Sequence, residues 1–208
     1  IVGTYAVAED MSAITESTLS CAVEGDSVTG AKIAVPDAEL ATHAVVLVKG
    51  SKGPELRLVD LNSDGVEISL QKNLDKSRSF YKVVFNNAQS SLLGDQGSGW
   101  ESHVHIMDQA AVLFAFEQVG GSQQALDMAK EYAMERYAFG RQIGSYHAIK
   151  HKLADMYVTV TLAKSNCYYG AWALSSESSE LPLAAATSRV SATKAFQLCA
   201  KENIQTHG

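Results

Sequence analysis

The chain has 208 residues, 46% hydrophobic and 19% charged, which is enough apolar material for one large or two modest packed domains and excludes a disordered chain. With 17 Lys+Arg against 23 Asp+Glu, a net charge of -6 offers no broad basic footprint, so nucleic-acid binding is not expected. No apolar run approaches the roughly 20 residues that span a bilayer, and Cys21, Cys167 and Cys199, odd in number and far apart, read as buried reduced thiols of a cytoplasmic protein.

From Thr4 to about Phe85 the pattern is short β-rich runs divided by turn residues. Runs at 18–23 and 27–35 flank Glu24-Gly25-Asp26, a hairpin signal, and further runs follow at 43–48, 56–61, 66–70 and 80–85. Strands this close together, with no helices between them, predict an antiparallel barrel or sandwich. Asn, Ser, Gly and Gln crowd residues 86–99, where the boundary is placed, giving a β-domain at 1–94 and a helical domain at 95–208.

Helical periodicity then takes over. Val104, Met107, Ala111, Phe114, Leu126, Ala129 and Ala133 mark one long helix that tolerates Gly120-Gly121 and reaches Arg136. A second stripe runs Ile149, Leu153, Met156, Val160, Ala163, Cys167, Ala171, Leu174. Residues 175–180 with Pro182 break it, and an Ala-rich third helix covers 184 to about 203. Three long helices with short connections predict an up-down antiparallel bundle.

Chemistry concentrates in Glu135-Arg136-Tyr137-Ala138-Phe139-Gly140-Arg141. Two arginines, two aromatics and a glycine at a corner suit a pyrophosphate, because guanidinium offers a planar donor fork and glycine lets a phosphate approach the backbone. The same residues also make a capped helix end with Gly140 as the cap, which physics alone favours. His147 and His151 share a helix face and His103 and His105 form a second pair, but no Asp, Glu or Cys stands in a ligand arrangement beside either, so no metal site is expected. Paired-carboxylate and nucleophile motifs are lacking, and no Gly-rich nucleotide fingerprint follows a strand.

Taken together, these segments resemble the acyl-CoA dehydrogenase family along nearly the whole chain. The resemblance lies in Tyr132-Ala133-Met134-Glu135-Arg136 before Phe139-Gly140-Arg141, in Leu153-Ala154-Asp155-Met156, in Lys194, and in Ile204-Gln205-Thr206-His207-Gly208, similar to the start of the family's Gln-x-x-Gly-Gly-x-Gly turn. More loosely, Gly3-Thr4-Tyr5-Ala6-Val7-Ala8-Glu9 resembles the strand that lies against the flavin, and Gly25-Asp26 with Val28-Thr29-Gly30-Ala31-Lys32 the hairpin after it. Gly94-Asp95-Gln96-Gly97-Ser98-Gly99-Trp100 resembles the approach to the bundle. The family's N-terminal helical domain and the end of its bundle are expected outside these 208 residues.

The resemblance implies α,β-dehydrogenation of an acyl-CoA to a 2-enoyl-CoA, with FAD accepting the hydride and an electron-transfer flavoprotein receiving the electrons. It implies dimers or tetramers in which FAD is shared with a neighbouring subunit. By position, Arg136 and Phe139 would touch that FAD, Ile143, Tyr146 and His147 would line its groove, and Gln205 with Gly208 would receive its pyrophosphate; the corner then reads as ligand rather than cap.

The departures from the family pattern are one-sided. Ala8 replaces a Thr, Asp10-Met11-Ser12-Ala13-Ile14 replaces Pro-Gly-x-Gly-Ser, Ala34-Val35-Pro36 replaces Trp-Ile-Thr, Gln109-Ala110-Ala111 stands where the family has an Arg and some branches the catalytic Glu, and His147 replaces a Gln. The chain's own flavin pocket is stripped while the groove for a neighbour's FAD is kept. No catalytic residue is assigned here; the base is expected beyond Gly208 or in a partner. The expected role is the flavin-poor subunit of a heteromeric dehydrogenase of the actinobacterial, sterol-degrading type. A homomeric enzyme with an atypical pocket and a non-redox subunit of the same fold stand as alternatives.

Overall fold

The computed structural model describes residues 2–208. They form two compact units, one ending at His105 and one from Ile106 to Gly208.

The first unit is built on seven strands: β1 (Gly3–Ala6), β2 (Ala22–Glu24), β3 (Ser27–Pro36), β4 (His43–Gly50), β5 (Gly53–Asp60), β6 (Val66–Gln71) and β7 (Phe80–Leu93). Five of them close a ring in which β4 pairs β5, β5 pairs β7, β7 pairs β3, β3 pairs β2, and β2 returns to β4. The expected β2–β3 hairpin is present, with Gly25 at φ +61 in its turn. The barrel is mixed rather than antiparallel, because β1 runs parallel to β4 and β2 meets β4 in parallel at Ala22 and Lys49. A parallel neighbour needs a long crossover. Here the segments between β1 and β4 supply it, and strand spacing along the sequence cannot reveal which strands meet.

Barrel closure also explains the longest misread segment. Residues 86–93, read as linker, continue β7, which pairs β3 and β6 in its first half and β5 in its second. Near the exchange Asn87 takes φ +53, and Ala88 is fully buried between exposed Asn87 and Gln89. An interior position filled by alanine leaves no apolar signal in the sequence. The barrel core is otherwise β-branched and aromatic, with Val46, Val59, Val83 and Phe85 completely buried.

Among these apolar chains lies a charge. Lys32 is wholly buried, and its ammonium donates to the Glu9 carboxylate at 2.7 Å and to the Val7 carbonyl at 3.0 Å. Glu9 also accepts from the Ser20 and Cys21 amides at 2.7 and 3.0 Å and from the Ser20 hydroxyl at 2.5 Å. Burial pushes the Glu9 carboxyl up, but these hydrogen bonds outweigh it and hold it below its usual value. Burial, with Lys32 nearby, holds His103 below the ordinary imidazole value; its Nδ1 bonds the Tyr5 hydroxyl at 2.8 Å, and burial pushes that phenol up to about 12.

The second unit holds most of α1 (Gly99–Glu135), and all of α2 (His147–Ser175) and α3 (Leu181–His207). Val112 near the start of α1 packs with Ala173 at the end of α2 and Leu181 at the start of α3, while Leu126 and Ala129 pack with Met156 and Cys199. The helices therefore run up, down and up. Pro182 does not end a helix but sits in the first turn of α3, where its missing N–H costs nothing. The middle layer is Ala115, Ala163, Cys167, Ala192 and Ala195 with Val119, none larger than valine. This displaces the stripe expected on α1: Val112, Ala115 and Val119 face inward, whereas Val104, Met107 and Phe114 are exposed. Gly121 is kept small by α3, since a methyl there would meet the Phe196 ring at 2.8 Å. Among the described residues no helix is long and apolar enough to cross a membrane.

Breaking the buried ion pair by Lys32→Ala should destabilise the protein by about 3–5 kcal/mol, because Glu9 loses its counter-charge; an unchanged urea midpoint at pH 7 would show that the pair contributes nothing. Glu9 and His103 both have folded-state values below their unfolded ones, so each binds more protons when unfolded and its stabilisation is lost on acidification. The urea midpoint should fall first below about pH 6.5 and again through the carboxylate range. His103→Gln should remove the first step only.

Candidate functional site

The residues singled out in 136–147 occupy the connection between α1 and α2. It is a hairpin rather than a capped helix end. The Arg136 amide closes the last helical turn onto Tyr132 at 2.9 Å, and its carbonyl accepts from the Ile143 amide at 2.8 Å. Between these bonds, β8 (Tyr137–Ala138) pairs β9 (Arg141–Gln142) in antiparallel register. Phe139 and Gly140 form the two-residue tip at φ +53 and +79, both in the left-handed region that such a tight hairpin demands. Gly140 takes this readily; Phe139 does not, and a bulky residue there stores about 1–2 kcal/mol of strain.

Side chains lock the base of the hairpin. The Tyr146 hydroxyl donates to the Ala138 carbonyl at 2.9 Å, the Arg141 guanidinium lies 3.9 Å over the Tyr146 ring, and Gln142 donates its amide to the Met134 carbonyl. Ile143 begins a one-turn 3-10 helix, Ile143–Ser145, and is half-buried. His147 opens α2, and its ring stacks on that of His151 with centroids 6.0 Å apart. Two groups are left over at the surface. The Phe139 ring is 98% exposed, and the exposed Arg136 guanidinium forms no ion pair among the described residues.

Gln205 and Gly208 lie at the neighbouring helix end. Residues 204–207, expected in a turn, complete α3, so Gln205 is on its last turn and only Gly208, at φ +128, lies outside it. Stacking of His207 on Tyr132, with centroids 4.2 Å apart, ties this end to the last turn of α1, one turn before Arg136. A 2.6 Å ion pair between Lys152 and Glu202 ties it to the first turns of α2. The structure thus gathers Arg136, Phe139, Ile143, Tyr146 and His147 at one corner and sets Gln205 and Gly208 at the adjoining end. Beside them the Asn203 side-chain oxygen is buried with no hydrogen-bond partner among the described residues.

In the first unit, the segment read as a depleted flavin strand is occupied with its own structure. Glu9 is consumed by Lys32, Ser20 and Cys21, the Ala8 carbonyl accepts from the Ile33 amide at 2.8 Å, and the Ala34 amide donates to Gln71 at 2.7 Å. Asp10 and Ser12 close a local turn, and Thr15 and Thr18 satisfy one another. The three cysteines are buried and unbridged; burial pushes the Cys21 and Cys199 thiols up to about 11. Among the described residues no group of three His, Cys, Asp or Glu is placed to hold a metal ion. His151, set aside earlier with the metal-like pairs, belongs to the corner through its contact with His147; the four-residue spacing was the available signal.

Residues 97–208 match the family model described as acyl-CoA dehydrogenase, C-terminal domain. Among curated relatives, acyl-CoA dehydrogenase IpdE2 of Mycobacterium tuberculosis is 42% identical over 103 residues, covering 50% of this chain and 30% of that protein. The CarC subunit of the caffeyl-CoA reductase-Etf complex of Acetobacterium woodii is 28% identical over 191 residues, covering 86% of this chain and 50% of its own length. Butyryl-CoA dehydrogenase of Megasphaera elsdenii has the same fold, with a TM-score of 0.92 at 20% identity over 99% of this chain and 57% of that one. The chain therefore spans 30% and 50% of the lengths of the two curated relatives.

Because Phe139 is strained and touches little of its own chain, Phe139→Gly should leave thermal stability unchanged or raise it by about 1 kcal/mol. A clear fall in the melting temperature would mean that the ring is held by contacts within the unit.

Proposed function

The chain belongs to the acyl-CoA dehydrogenase family, as the match over residues 97–208 shows, and on that premise we propose that it takes part in α,β-dehydrogenation of an acyl-CoA thioester by completing the FAD site of a neighbouring subunit. FAD, when bound, supplies the hydride acceptor. The observation that carries this reading is Phe139, an exposed aromatic ring at the strained tip of a hairpin whose base holds Arg136, a guanidinium with no ion pair among the described residues. A lone protein gains nothing from that arrangement; a shared cofactor does.

The corner fits the ADP half of FAD. Arg136 presents a free donor fork for the pyrophosphate, and Phe139 offers a flat apolar face. Ile143, Tyr146 and His147 line the groove, and Gln205 with Gly208 adds polar contacts from the end of α3. The locked hairpin base holds these groups in place before the ligand arrives, which lowers the ordering cost of binding.

The β-domain strand fits a flavin poorly. The carboxylate and amides around Glu9 are spent on Lys32 and on the local turns, and Pro36 has no N–H to give. This asymmetry supports a heteromeric assembly in which the partner carries flavin and base, of the actinobacterial, sterol-degrading type. The substrate is an acyl-CoA. An electron-transfer flavoprotein is the proposed electron acceptor, in keeping with the Etf complex in the name of the CarC relative. No residue of this chain is assigned the proton abstraction.

The full-length protein purified alone should be colourless, and its complex with the partner subunit should carry about one FAD per pair. A yellow protein reduced by acyl-CoA on its own would establish a homomeric enzyme, and a colourless complex a non-redox subunit. Arg136→Ala should lower FAD retention in the complex by the loss of a charge-assisted contact worth about 1.5–3 kcal/mol; unchanged flavin content would remove Arg136 from the site.

A further inference from the structure

In a chain of net charge -6, residues 72–82 hold Lys72, Lys76, Arg78 and Lys82 against a single carboxylate, Asp75. They form the turn of the β6–β7 hairpin and the strand just after it. Gln71 pairs Phe80 as the last rung, and Lys82 stands opposite Ser69. All four cations are exposed, and the three lysines form no ion pair among the described residues. The turn is closed on itself. The Asn73 amide donates to the Arg78 carbonyl at 2.9 Å, and Asp75 accepts from the Ser77 amide and hydroxyl at 2.9 and 2.6 Å. These bonds to Ser77, with Arg78 nearby, hold the Asp75 carboxyl below its usual value, so it stays charged but is spent on the turn. Leu74, with Lys72 and Lys76 two residues to either side, is completely exposed.

We infer that the β6–β7 turn binds the phosphate esters of a nucleotide, with Lys72, Lys76 and Arg78 as the cationic contacts and Leu74 as an apolar face for the base. Under the function proposed above, that nucleotide is the 3'-phospho-ADP end of the acyl-CoA. Its identification rests on that reading, whereas the site rests on the turn alone. Phosphate esters stay anionic through the neutral range, and lysine meets them as a point charge without a fixed geometry. A closed turn presents these charges with little further ordering of the backbone.

An anionic lipid surface offers the same phosphate chemistry, but the base of the hairpin argues against it. The Asp37 amide donates to the Ser79 carbonyl at 3.1 Å, which sets an exposed carboxylate beside the end of the turn. Glu39 accepts from the Tyr81 hydroxyl at 2.8 Å, and the exposed Glu67 lies on β6. These acids confine the positive field to the tip. A field of that extent matches one small anion and would be opposed by a broad anionic plane reaching the hairpin base.

Adenosine 3',5'-bisphosphate is a suitable probe, titrated into the full-length protein at low salt. It should bind more tightly than inorganic phosphate and weaken as salt is raised. The Lys72→Gln, Lys76→Gln pair should weaken it about tenfold, and Leu74→Ser about twofold with the salt dependence retained. Arg136→Ala should leave this binding unchanged. No binding, equal affinity in the double lysine variant, or loss of binding in Arg136→Ala would overturn the site. Inorganic phosphate binding as tightly as the bisphosphate, or phosphatidylglycerol vesicles sedimenting the protein through the same lysines, would overturn its assignment to a nucleotide. The flavin content of the complex tests the shared-cofactor reading separately, since the double lysine variant should keep its FAD.

Discussion

The second unit depends on how closely its three helices approach. Their middle layer is Ala115, Ala163, Cys167, Ala192 and Ala195 around Val119, and Gly121 and Gly170 admit Phe196 and Ser188 where a methyl would collide. Small residues leave little apolar area to bury per side chain, but they bring backbones near and let many short contacts add. Around this layer several larger apolar groups go outward. Leu113, Phe114, Tyr157, Leu162, Trp172 and Ile204 are all exposed. So many large apolar groups on one small helical unit mark faces that other protein covers, whether further parts of a longer chain or a partner.

The first unit solves a different problem. A buried lysine in a barrel is costly unless it is paired and saturated with hydrogen bonds. Glu9, the Val7 carbonyl and the donors from Ser20 and Cys21 form a network that partners the Lys32 ammonium and the Glu9 carboxylate within the chain. These polar groups hold the barrel and the loop after β1.

The sequence was informative where one residue carries one signal. Turn glycines marked the β2–β3 hairpin, the period of α2 picked out Met156, Val160, Ala163 and Cys167, and the arginines and phenylalanine marked the corner. It misled where the signal depends on a distant neighbour. Nothing local shows that β2 meets β4 in parallel or that Ala88 fills a barrel interior. Size misled on α1, because Phe114 looks like core until α3 is seen to demand alanines opposite Ala115. At the far end of α2 the stripe drawn through Ala171 and Leu174 rotates to Gly170 and Ala173, as a helix of 3.6 residues per turn drifts from a seven-residue repeat. The groups of the corner were legible as residue types, but the hairpin that presents them was not, since Tyr137-Ala138 and Arg141-Gln142 are too short to register as strands.

The tip of that hairpin is strained where other residues would not be. Glycine at position 139 would relax the turn, and asparagine would tolerate it better than phenylalanine does. Instead the chain holds a large ring at φ +53 and almost fully in solvent, while Tyr146, Gln142 and the Arg136–Ile143 bond keep the hairpin from rearranging to bury it. The strain persists because the base of the turn is over-determined. Folding of the isolated unit gives no reason for this combination of a rigid base and an unfavourable tip. The recognition role proposed for the corner would give one: an aromatic face presented in advance can meet a flat ligand without further ordering of the chain.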